Sequence, residues 1–151
     1  MPGPSAFADI GHVIQLSVAP VFLLVAVGSM LNVMTARLGR VVDRARKLEH
    51  DIRVETAEER ALHLEELRSL DRRMSYSNAA INFCVIAALL VSFVVALLFV
   101  GGLVSFDTSI PVAVLFILSM LAVIGGLCMF LMEIGVSMRT VRVRAEILKS
   151  K

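Results

Sequence analysis

Four polar side chains, Asn32, Asn78, Asn82 and Glu133, stand inside or at the edge of long apolar stretches. In hydrocarbon an amide must find hydrogen-bond partners and a carboxylate must find compensation for its charge, so such residues are costly and often functional. Asn78 and Asn82 are four residues apart, with Ser75 three before them, which places all three on one face of a helix. If each apolar stretch crosses a bilayer as a helix, Asn32, Asn78, Asn82 and Glu133 fall at one membrane level, beside the charged segments, as a candidate inner-interface polar cluster. Two chemistries are open to it. One is hydrogen bonding that packs helices together, on the order of 0.6 kcal/mol per contact. The other is a polar ring lining a vestibule when several copies surround an axis, with Glu133 attracting cations.

Enzymatic chemistry needs convergent nucleophiles, bases or metal ligands, and the sequence shows none. His12 stands alone near the N-terminus, while His50 and His63 lie among Glu49, Glu59 and Glu66 without a defined ligand spacing, so they read as solvated side chains rather than a metal site. Cys84 and Cys128 sit in apolar runs and read as small inert hydrophobes. No dinucleotide fingerprint, phosphate loop, zinc-protease helix or nucleophile elbow is present. The expectation is a protein that is not an enzyme and holds neither cofactor nor metal.

The elements that must position these residues follow from composition. Of 151 residues, 58% are hydrophobic and 19% charged, where a soluble domain carries about 45–50% and about 25%. The excess is concentrated in three uncharged stretches, Val13–Ala36, Ala79–Val104 (its entry beginning near Ser75) and Ile110–Met132. A bilayer core about 30 Å thick is crossed by about 20 apolar helical residues, so each stretch predicts a span and the fold class is an all-α membrane protein with three transmembrane helices. Residues 37–74 hold 10 of the 15 basic side chains and residues 133–151 the other 5, while 1–12 and 105–109 hold none. Lysine and arginine favour the cytoplasmic side, which predicts an outside N-terminus (1–12), spans at 13–36, 75–104 and 110–132, an outside link at 105–109 and a basic cytoplasmic tail at 133–151. The first span, lacking a basic region before it, reads as a retained anchor. Pro20 lies inside that span and predicts a kink; Gly28, Gly101-Gly102, Gly125-Gly126 and Gly135 predict close helix approaches.

Between the first two spans, residues 37–74 carry 10 basic and 9 acidic side chains. Leu38, Val41, Ala45, Leu48 and Ile52 recur at three and four, a heptad stripe on a helix that continues out of the first span. Asp43 with Lys47 and Glu49 with Arg53 are i,i+4 pairs in the favourable order. Thr56 followed by Glu59 is a capping-box pattern, and Ala57, Ala61, Leu64, Leu67, Leu70 and Met74 form a second stripe leading into the next span. The two arms predict a cytoplasmic antiparallel helical hairpin, either a plain coiled-coil stalk or one whose stripe also meets other subunits or a cytoplasmic protein partner. Balanced charge argues against nucleic acid, which needs a basic surface. The denser run Met138–Arg144 reads as a positive-inside anchor, or as a contact for anionic lipid.

The stretches HVIQLSVAPVFLL, MLNVMTARLGRVVDRAR and LDRRMSYSNAAI, with Pro20 upstream of the run Arg37, Leu38, Arg40, Asp43, Arg44 and Arg46, together resemble the uncharacterised bacterial membrane-protein family known as domain of unknown function 2721. The resemblance runs from about His12 into the third span. It implies a small multi-pass protein of the bacterial inner (cytoplasmic) membrane and supplies no catalytic residues. Two function classes remain: a homo-oligomeric structural or interaction protein joined through its spans and hairpin, and a homo-oligomeric ion channel with a polar inner vestibule.

Overall fold

The computed structural model describes the backbone of residues 4–51, 57–104 and 108–149, and side chains over 11–50, 63, 66–103 and 108–135. The described chain is three α-helices: α1 (Pro4–Asp51), α2 (Ala57–Val104) and α3 (Ser109–Lys149). Each contains a segment long and apolar enough to cross a membrane. At 1.5 Å per residue the 48 residues of α1 reach about 72 Å, more than twice the hydrocarbon thickness. The expected continuity is therefore present: α1 and α2 each run from apolar span into charged arm without a break. α3 also continues as helix through the basic segment to Lys149, which the sequence predicts only as a tail. Pro20 lies inside α1 without ending it and is buried. Thr56 and Ile52 lie outside the described residues.

Burial repeats in sevens. In α1 the buried residues include Pro20, Val27, Met34, Val41 and Leu48, with Ser17 and Ala45 beside them. In α2 they are Leu70, Ser77, Cys84 and Val91, accompanied by Ala80, Ala87 and Val94. In α3 they are Ser119, Gly126 and Glu133, with Ala122. A seven-residue period keeps one seam facing its neighbours when helices are slightly under-wound. The seams of α2 and α3 are built largely of serine, alanine, cysteine and glycine, small residues that let helices approach closely where lipid gives no hydrophobic drive between them.

The chain forms two compact units. The first comprises Met1–Leu31 and Phe83–Ile124. In it a Cβ on Gly102 would fall 2.8 Å from Val13 Cγ2, and one on Gly101 would fall 2.5 Å from Thr108 Oγ1, so both glycines are close approaches, as expected. Thr108 opens α3, its carbonyl accepting the Val112 N–H at 3.0 Å. Within the chain Gly28 and Gly135 are not the close approaches expected: a Cβ on either meets nothing within 4 Å, because both lie off the buried seams.

The second unit comprises Asn32–Asn82 and Gly125–Lys151. Val41 and Ala45 of α1 pack with Leu70 of α2, flanked by Leu67 and Met74. Arg44 reaches Glu66 while Arg37 and Arg73 reach a common partner; positions on α2 fall as those on α1 rise, so the two arms are antiparallel.

Candidate functional site

Glu133 occupies a seam position of α3, seven residues after Gly126, and is 0% exposed. A carboxylate there would face a prohibitive loss of hydration without compensation. Arg73, on α2, donates from both Nε and Nη2 to Glu133 Oε1, at 3.3 and 3.0 Å. Arg37, on α1, brings Nη2 to 3.3 Å from Oε2. That approach lacks hydrogen-bond geometry, so Oε2 has no hydrogen-bond partner and is held by charge alone. The carboxylate is thus gripped unevenly: a forked, charge-assisted interaction on one oxygen, the stronger kind, and an ion contact on the other. Arg37 also lies over the Phe130 ring, 5.1 Å from its centroid, a favourable cation–π distance.

Two turns further along the arms, Arg44 donates from Nε and Nη2 to Glu66 Oε1 at 3.1 and 2.9 Å. Both partners are partly exposed, so this pair contributes modestly to stability. Between the two ion-pair sites a pocket of about 220 Å³ is lined by Arg37, Arg40, Val41, Arg44, Leu70 and Arg73. Three of the arginines in the run that carries the family resemblance therefore share one cavity. Of the rest, Leu38 is half-buried, while Asp43 and Arg46 are exposed.

The asparagines expected beside Glu133 are elsewhere. Asn32, Asn78 and Asn82 are all exposed on the surface of their helices, and Glu133 takes its side-chain hydrogen bonds from Arg73 instead. Hydroxyls along the helices solve their own problem: Ser17, Ser29, Ser92 and Ser119 each donate to a carbonyl three or four residues back, and Thr35 donates to the Asn32 carbonyl. This is a standard accommodation of hydroxyls in helices. His12 and His50 are exposed, and His63 is half-buried. Cys84 is buried and Cys128 exposed. Among the described residues, no three histidine, cysteine or acidic side chains converge as a metal site would require.

The partners missed from sequence are Arg37 and Arg73. Only the structure's burial phase marks them: Arg37 follows the buried Met34 by three and precedes Val41 by four, and Arg73 precedes Ser77 by four. Both flank a seam. Residues 17–143 match the family described as "Protein of unknown function (DUF2721)". No curated protein and no solved structure matches the chain.

Proposed function

Because the chain belongs to the DUF2721 family, whose description carries no activity, we propose its role from the geometry alone: a homo-oligomeric assembly or interaction protein of the bacterial inner membrane. In this reading the N-terminus is outside and the C-terminus inside. The three spans pack against further copies, and the paired arms of residues 37–74 project into the cytoplasm as a stalk on which a partner can dock.

The observation that carries it is the exposure of Asn32, Asn78 and Asn82 where the apolar runs of α1 and α2 meet the charged arms. An asparagine amide has two donors and an accepting oxygen, and the hydrocarbon beside Asn32 and Asn82, which lie inside the uncharged runs, satisfies none of them. Serine can turn back to its own helix. An amide that does so still leaves groups unmet, and a second copy offering the same asparagines meets them. The open space beside Gly28, one turn before Asn32, supports close approach on that face.

The alternative, a channel with Glu133 as cation attractor, has less support. The carboxylate is fully buried and two arginines face it, so any cation would meet like charge first.

Native mass spectrometry of the protein released from nanodiscs tests the proposal. The wild type is expected as an oligomer, and Asn32→Leu with Asn78→Leu is expected to shift it toward monomer. Each lost interhelical contact weakens association roughly threefold, from about 0.6 kcal/mol. A strictly monomeric wild type overturns the reading.

A further inference from the structure

We propose that the cavity lined by Arg37, Arg40, Arg44 and Arg73 is a binding site for a phosphate group. This inference is independent of copy number and of whether the asparagines meet a second chain.

Charge, donor chemistry and size all favour a small anion there. Four guanidinium groups line a single pocket, and the carboxylates that reach them are Glu133, shared by Arg37 and Arg73, and Glu66, paired with Arg44. Two negative charges against four leave an excess of two positive charges among the described residues. An anion that binds among them meets this excess charge favourably. The donors are also undersubscribed. Each guanidinium has five N–H bonds, and Arg73 and Arg44 each commit Nε and Nη2 to one carboxylate oxygen, leaving the others for a ligand. Arg40 lines the cavity, is exposed, and makes no ion pair with any described residue.

The remaining lining is Val41 and Leu70, buried to 5% and 6% exposure. These two side chains back the arginines and hold the helix faces that carry them side by side. A volume of about 220 Å³ falls below the 300–1,000 Å³ typical of drug-sized ligands and suits a compact tetrahedral anion with a few waters. Arginine is the side chain that grips such an anion through paired N–H bonds. Two sources supply this chemistry: a phospholipid headgroup reaching the pocket from the membrane edge, and a soluble phosphate.

The test uses full-length protein with Arg40→Gln, which removes a pocket arginine without touching either carboxylate, and Arg46→Gln, which removes an exposed arginine outside the pocket. Native mass spectrometry after incubation with cardiolipin or phosphatidylcholine measures headgroup binding. Thermal unfolding with inorganic phosphate against chloride, at matched ionic strength, measures the soluble source. Wild type is expected to retain cardiolipin over phosphatidylcholine, to be stabilised by phosphate over chloride, or both. Arg40→Gln should weaken the responding arm about five-fold, and Arg46→Gln should leave it within about two-fold. A response to cardiolipin alone supports a lipid headgroup, to phosphate alone a soluble ligand, and to both a site that accepts either. The proposal is overturned if neither probe binds, if Arg40→Gln binds as wild type does, or if Arg46→Gln loses as much as Arg40→Gln.

Discussion

Glu133 is buried in a position that the seven-residue repeat of α3 turns inward, and two other helices supply the arginines that make this tolerable. Removing one partner of a buried pair leaves the others desolvated and uncompensated, at about 3–5 kcal/mol. Glu133→Gln is therefore expected to lower unfolding stability in detergent by about that amount, since Arg37 and Arg73 then face each other across a neutral amide. Arg73→Lys should give a smaller loss, because an ammonium cannot reproduce the fork. The double variant Glu133→Gln with Arg73→Gln should lose less than the sum of its parts, a coupling that thermal melts of the four proteins would measure. That Glu133 was costly was legible in sequence. Its partners were not, because arginines at the end of a span read first as orientation signals and their reach into the interior depends on the phase of the helix that carries them. The asparagines were grouped with Glu133 by depth alone, and depth does not say which side of a helix a residue occupies.

The helices themselves were plain from the uncharged runs, and the stripe of α1 could be followed through Val41, Ala45 and Leu48, all buried, because charged residues alternate with apolar ones there. In the spans that contrast vanishes. Ala80, Ala87 and Ala122 are buried while Leu89, Leu121 and Phe93 are exposed, so what marks the inside is small size rather than apolar character, a signal that hydropathy does not record. Glycines divide in the same way. Gly101→Ala places a Cβ against the branched side chain of Thr108 at the start of α3 and should destabilise by about 1–3 kcal/mol through overpacking. Gly28→Ala meets open space within the chain and should leave the unfolding midpoint of the separated subunit unchanged or slightly raised. Paired thermal melts in detergent would show the contrast.

The molecule's 15 basic and 13 acidic residues nearly cancel in number but not in place, and the charged segments flank the three spans on one side under the proposed orientation. Single cysteines introduced at His12 and Arg46, in a background with Cys84 and Cys128 replaced by alanine, should report it. In intact cells, a membrane-impermeant maleimide is expected to label the first and spare the second. The reverse pattern would invert the topology. The grip on Glu133 also has a consequence for how the protein is made. Arg37 and Arg73 are synthesised before α3, and the carboxylate they share arrives only with that helix. The first two helices can already meet through Val41, Ala45 and Leu70 and through the Arg44–Glu66 pair, so translation past Glu133 is the step that locks the third helix onto a pair already formed.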